Sequence, residues 1–465
     1  MKRLAVLNIV GLSESLLCPA TPRLNAFRQA GSFACIRPAM PAVTCTAQSN
    51  YLTGLLPRKH GIVANGWFNR ELAEVHFWKQ SNQLVQSPKI WDALRAEIPG
   101  FTCAQLFWWF NMYSTADFSI TPRPLYPADG RKVFDIYSWP YNLRPEIKRD
   151  LGEFPFFGFW GPAAGRQTPQ GAPDTATRWI AEAAKWIEHR HAPTLNLIYL
   201  PHLDYNLQRL GPGHPEIARD LKRIDAIFGD LHDFFAKQAV DVLVLSEYGI
   251  SAVHQPVHLN RIFRESGWLA IKDELGSELL DPGASQVFAV ADHQFAHIYL
   301  NTPALLNQVR TLLEKTPGVA KVLDAEGKLA AGLDHMRSGD LVVIAAHDAW
   351  FSYYYWLEDC RAPDFARTVD IHRKPGYDPA ELFINPALRL PKLHIAWRLL
   401  QKRLGMRMLM DIVPLDANLV RGSHGALPVN RAEYPVAITG RANDIPSTDL
   451  EATDVYDLLR RLMLS

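Results

Sequence analysis

Between Ser32 and Asn65 the chain reads SFACIRPAMPAVTCTAQSNYLTGLLPRKHGIVAN, and Thr44 holds the position in it best suited to chemistry. Ser32 to Ile36 is a short apolar run bounded by Gly31 and Pro38, which predicts a strand, and Pro41 carries the chain into a turn. Thr46 to Thr53 can then form a short helix that ends at Gly54, with Pro57 beyond it to stop resumption. A hydroxyl at that strand-to-helix junction meets unpaired backbone N–H groups and the positive end of the helix dipole. Both favour an alkoxide and a bound phosphate oxygen. The plainer alternative is that Thr44 only caps the helix.

The elements that must position Thr44 follow from the hydrophobic pattern. Apolar runs at Leu4 to Val10, Thr102 to Phe107, Leu195 to Leu200 and Val242 to Leu245 alternate with amphipathic helices, which predicts an α/β fold with helices on both faces of a sheet. Asp174 is the expected cap of one helix, with Trp179, Ile180, Ala183 and Ile187 on its apolar stripe. A second helix starts near Pro215 and carries Ile217, Leu221, Ile224, Phe228 and Leu231. The N-terminal MKRLAVLNIV has two basic residues before an apolar run, but Asn8 interrupts it and no A-x-A site follows, so it predicts a strand and not a signal peptide.

Composition narrows the class. A formal net charge of +1, with 49 Lys and Arg against 48 Asp and Glu interspersed along 465 residues, gives no electrostatic reason to expect nucleic acid or a membrane as partner. Five cysteines, Cys18, Cys35, Cys45, Cys103 and Cys360, without CxxC spacing argue against a disulfide framework or a thiolate zinc site and for a cytoplasmic protein. No stretch reaches the roughly 20 apolar residues needed to span a bilayer.

Thr44 to Asn65 resembles the nucleophile segment of the type I phosphodiesterase/nucleotide pyrophosphatase family, within the alkaline phosphatase superfamily. Thr53-Gly54-Leu55, Pro57, His60-Gly61-Ile62-Val63 and Asn65 fall at the family's spacing from Thr44, while Thr21 to Ser32 and Ser87 to Arg95 resemble neighbouring helices of the superfamily. The resemblance implies an alkaline-phosphatase-like three-layer α/β/α sandwich with a mostly parallel central sheet, spanning residues 1 to 465 as one catalytic domain. Residues 107–173, dense in aromatic residues, are expected as a cap or equally as a packed loop layer. Residues 286–345 are expected as a small α+β subdomain.

The implied activity is metal-dependent hydrolysis of phosphoric esters. Thr44 would attack phosphorus to give a phosphothreonine, Asn65 would donate to a phosphate oxygen, and one or two divalent ions, zinc foremost, would neutralise the transferring group. In PHLDYNLQRLGP, Asp204 aligns with a ligand Asp, and Gln208 replaces a ligand His by an amide, a poor zinc ligand. In Ser246-Glu247-Tyr248-Gly249 the carboxylate survives as Glu247, but Tyr248 stands where the family has His. Val10 replaces a ligand Asp, with Glu14 the nearest carboxylate, and His424 in Gly422-Ser423-His424-Gly425 retains the last ligand. Possible substitutes are His202, the Asp370/His372 pair and the group His254, His258, His293 and His297, of which one or two should face Thr44. Arg373 and Lys374 are either phosphate-binding or a solvated face. The replaced ligands leave open a non-catalytic or single-metal member that binds a phosphorylated small molecule. Cys45, where the family commonly has an aromatic residue, weakens the case for a nucleotide and admits lipid-like, prenyl or sugar phosphates.

Overall fold

The computed structural model describes residues 2–169 and 171–464; Met1, Gln170 and Ser465 lie outside the described residues. The expected domain limits at 1 and 465 and the interior of the expected cap touch those three positions. The centre of the molecule is the strand Leu4–Ile9, whose six residues are all buried. It pairs in parallel with Leu195–Leu200 on one side and Asp241–Leu245 on the other, Leu4 lying opposite both Leu195 and Asp241. A strand covered on both faces has no side to leave polar, which is why these segments read as continuous apolar runs.

Nine strands complete the sheet, in the order Asp449–Glu451, Ser32–Arg37, Val436–Thr439, Asp241–Leu245, Leu4–Ile9, Leu195–Leu200, Cys103–Leu106, Phe118–Pro122 and Ile136–Trp139. The pairings are mostly parallel. Val436–Thr439 runs against both of its neighbours, and Ile136–Trp139 closes one edge antiparallel. Helices cover the two faces, making a three-layer α/β/α sandwich. Thr175–His191 and Ile217–Lys237 bury the predicted stripes. Asp174 departs from expectation. It occupies the N-cap position, but with φ −101° and ψ 12° its carboxylate accepts from Arg178 Nε at 2.7 Å and from no backbone N–H.

The helix after Ser32–Arg37 runs over Thr44–Thr53, two residues longer at its start than predicted, with all ten residues buried. Its N-cap is Val43 in an extended conformation, so Thr44 is the first helical residue and its hydroxyl makes no cap. Gly54 ends the helix at φ +69°, where a Cβ would also sit 3.1 Å from Tyr456. Pro57 opens a second short helix, Pro57–His60, a position where its missing N–H costs nothing.

A separate antiparallel sheet of four strands lies against this body, in the order Val287–Asp292, Phe295–Leu300, Leu341–Ala345 and Val319–Leu323. The tight turn joining its first two strands brings Asp292 to Asn65 and His293 into the cavity that Thr44 also lines. The aromatic segment after Leu106 divides between the two roles considered for it: Phe107 and Trp108 are packed in the main core, whereas Trp109, Phe159 and Trp160 line the cavity above Thr44.

Candidate active site

Thr44, Asp204 and Tyr248 come from loops or helix starts at the C-terminal ends of parallel strands, where open α/β sheets form their crevice. Tyr248 OH lies 3.3 Å from Thr44 Oγ1 and 3.1 Å from Asp204 Oδ1. A phenol has one proton, and with that proton given to Asp204 its oxygen accepts from Thr44. Gln208 Nε2 donates to Asp204 Oδ2 at 2.8 Å, leaving Gln208 Oε1 buried without a partner among the described residues. Burial pushes the Asp204 carboxyl up to about 7, despite the hydrogen bonds from Tyr248 and Gln208.

His424 packs face to face on Tyr248, the ring centres 3.7 Å apart and 5° from parallel. Its Nδ1 is 2.8 Å from the Ala42 carbonyl oxygen, so Nδ1 carries the proton and Nε2 keeps a lone pair. Burial brings its pKa down to about 3. His293 follows, 4.0 Å from His424, and is the one member of the proposed substitute set that lines the cavity.

The remaining substitutes are committed elsewhere. His202 Nε2 pairs with Asp220 at 3.0 Å, His258 Nδ1 with Ser352 at 2.6 Å and His297 Nε2 with the Val63 carbonyl at 3.2 Å. His254 faces Asp348 at 3.5 Å on the surface. His372 stacks on Trp109, while Asp370 accepts from Tyr126. Glu14 does not replace the acid missing at Val10: its carboxylate is held by Arg28 at 2.7 Å and Arg431 at 3.2 Å. Lys374 is neither solvated nor free for phosphate, since it is buried in an ion pair with Glu381 at 2.6 Å.

Glu247 lies behind Thr44, its carboxylate accepting from the Thr44 hydroxyl, from Asn8 at 2.6 Å and from Gln48. Asn8, the polar residue that interrupts the first apolar strand, is thus explained. Burial pushes Glu247 up to about 8, outweighing the hydrogen bonds from Gln48, Asn8 and Thr44. Asn65 is wired differently from its expected role: Oδ1 accepts from the Cys45 N–H at 2.9 Å, and Nδ2 donates to Tyr377 OH at 3.0 Å and Asp292 Oδ1 at 3.2 Å. The Asn65 backbone N–H donates to Asp292 Oδ2 at 2.8 Å. Asp292 and Tyr377 were not foreseen. Asp292 precedes His293 in VADHQ and Tyr377 lies in HRKPGYD, neither at a recognisable spacing from Thr44.

The electrostatic character of the cavity is unusual for an anion site. Among the described residues no Lys or Arg lines it, while Asp204 does, and the buried Glu247 and Asp292 touch the lining residues Thr44 and Asn65. Burial also pushes Asp292 up to about 6. A phosphate entering here is repelled by every carboxylate that ionises, unless a cation offsets them. The donors do not suit a pair of zinc ions: among the described residues no three His, Cys, Asp or Glu side chains converge, and the second ion position has Val10 and Tyr248 where strong ligands are needed. Asp204, Gln208 with its unpartnered Oε1, and His424 line the same cavity, and two oxygens and one nitrogen are donor types that a divalent ion takes.

The raised carboxyls carry a stability consequence. Glu247 titrates near 8 when folded and near 4.5 otherwise, so the folded state holds more protons between those values and loses stability as pH rises through them. Metal-stripped protein should melt roughly 2–5 °C lower at pH 8.5 than at pH 5. Glu247→Gln should flatten that slope, as read by calorimetry.

The fold is that of the alkaline-phosphatase-like α/β enzymes. The described geometry matches solved structures along essentially the whole chain. Murine ectonucleotide pyrophosphatase/phosphodiesterase 5, inactive and in complex with AMP, aligns over 100% of this chain and 95% of its own, with a TM-score of 0.59 and 14% identity. Phosphonoacetate hydrolase from Sinorhizobium meliloti, in complex with phosphonoformate, aligns over 99% and 96%, with a TM-score of 0.61 and 14% identity. The model of the type I phosphodiesterase/nucleotide pyrophosphatase family matches residues 4–378, and the chain belongs to that family. An uncharacterized pyrophosphatase/phosphodiesterase of Schizosaccharomyces pombe is 23% identical over 223 residues, which are 46% of this chain and 37% of the relative. This chain therefore matches little more than a third of that curated relative's length.

Proposed function

We propose that this protein hydrolyses phosphoric esters with Thr44 as nucleophile. The observation that carries the proposal is the Thr44 hydroxyl: it starts a fully buried helix, makes no cap, and opens on the cavity while held by Tyr248. With the Tyr248 proton committed to Asp204, the Tyr248 oxygen can accept the Thr44 proton, and Glu247 also contacts that hydroxyl. As Oγ1 forms the bond to phosphorus its proton passes to Tyr248 while Tyr248 hands its own to Asp204; the ester oxygen leaves with the P–O bonding pair and takes a proton from water, and a second water then cleaves the phosphothreonine to release phosphate and restore Thr44. Asn65 Nδ2 serves the phosphate by exchanging its bond to Tyr377 for one to a phosphate oxygen. One divalent ion held by Asp204, Gln208 and His424 would supply the positive charge that the cavity lacks.

The walls favour an apolar or aromatic leaving group. Trp78, Trp109, Trp160 and Tyr377 line the cavity. Cys45 is wholly buried and packs beneath with Ile62 and Trp109, so it does not meet the substrate.

Purified protein should turn over a bis-aryl phosphodiester or an aryl phosphate monoester once supplied with Mg²⁺, Mn²⁺ or Zn²⁺. It should bind no more than one equivalent of divalent ion by elemental analysis after gel filtration. No turnover of either ester with any of these ions would overturn the assignment. Binding of inorganic phosphate without turnover would favour the second reading, a non-catalytic phosphate-binding member, for which the occupied Asn65 amide is the supporting observation.

A further inference from the structure

The segment after Tyr377 contains a helix whose polarity is reversed with respect to the rest of the molecule. Pro391–Arg403 has thirteen residues, and none is buried. Helices in globular proteins owe most of their stability to burying an apolar face. Here Leu393, Trp397, Leu400 and Leu404 recur at helical spacing on one stripe and are 64%, 52%, 45% and 64% exposed. The polar side is tied instead to Asp411, eight residues past the helix end. His394 Nε2 lies 2.8 Å from Asp411 Oδ1, and Arg398 grips the same carboxylate through Nε at 2.9 Å and Nη2 at 2.8 Å. Leu390 and Met406, at the two ends, extend the exposed apolar surface.

Charge identifies what this surface fits. Between Glu381 and Asp411 the chain has Arg389, Lys392, Arg398, Lys402, Arg403 and Arg407 and no acidic residue. Apart from Arg398, none of these cations makes an ion pair among the described residues. Lys392 and Arg403 are exposed on the helix itself, with stems long enough to keep their charges in water while the stripe is covered. A tryptophan and leucines on one side, flanked by free cations, is the composition of a helix that lies in a bilayer interface. The segment also follows residue 378, where the match to the family ends. No described helix is long and apolar enough to cross a membrane, so attachment by this helix is peripheral.

We propose that Pro391–Arg403 and its flanks dock this protein on the surface of an anionic phospholipid membrane, with Leu393, Trp397, Leu400 and Leu404 in the acyl boundary and the free cations at the headgroups. The proposal stands on this helix alone and does not depend on the chemistry assigned to Thr44.

Full-length protein should co-sediment with vesicles of phosphatidylcholine and phosphatidylglycerol and much less with pure phosphatidylcholine vesicles. The partition coefficient should fall at least about tenfold in Leu393→Ser/Trp397→Ser/Leu400→Ser. It should fall by roughly fivefold for each charge removed in Lys392→Gln and Arg403→Gln, and with rising salt. Both sets replace exposed side chains, and circular dichroism with melting curves confirms that each variant is folded. Equal sedimentation of wild type and variants, or none with anionic vesicles, overturns the proposal. So does sedimentation equilibrium showing a wild-type dimer that Trp397→Ser dissociates, because the stripe would then be covered by a second copy.

Discussion

Thr44→Ala reduces hydrolysis of any ester that the wild type accepts by at least about a thousandfold, while Thr44→Ser keeps part of the rate. The expectation rests on geometry, since no neighbouring hydroxyl starts a helix at the cavity floor. Acid quenching during turnover of wild type should trap phosphate on a peptide containing Thr44, and mass spectrometry of the digest reads the site directly. Equal rates for wild type and Thr44→Ala would show that water, or another residue, attacks phosphorus.

The second large effect is expected at Tyr248. Tyr248→Phe keeps the ring stacked on His424 at 3.7 Å but deletes the hydroxyl that joins Thr44 to Asp204. It leaves the buried Asp204 with one hydrogen bond fewer and removes the link between Asp204 and the Thr44 hydroxyl. Loss of such a hydrogen bond to a charged group costs about 1.5–3 kcal/mol, so kcat should fall roughly 10–100-fold with little change in KM. A proportional rise in KM with kcat preserved would assign Tyr248 to substrate binding. An unchanged kcat would remove it from the mechanism.

The central strands were legible because burial on both faces leaves them uniformly apolar, and the Thr44 helix because a strand, a turn and Gly54 bracket it. Thr44, Asp204 and His424 all line one cavity. What spacing could not show is direction. His202 is two residues from Asp204 yet turns to Asp220, because the first turn of a helix sends neighbouring side chains to different faces. Asp292 and Tyr377 were missed since they reach Asn65 from segments more than two hundred residues away in the chain. The helix Pro391–Arg403 was hidden by averaging: a net charge of +1 over 465 residues says nothing about a stretch from 382 to 410 without an acid.

Asp292 receives the Asn65 backbone N–H and side-chain amide and the Tyr377 hydroxyl, yet it belongs to the small antiparallel sheet and not to the sandwich. That sheet is consequently not a detachable module. A shortened chain lacking residues 286–345 could retain Thr44 on its helix and Asp204 on its strand, but Asn65 would lose the carboxylate that fixes its amide. Any attempt to pare this protein down to its nine-stranded body, or to graft Thr44 and its loop onto another scaffold, has to carry the Val287–Asp292 strand with it.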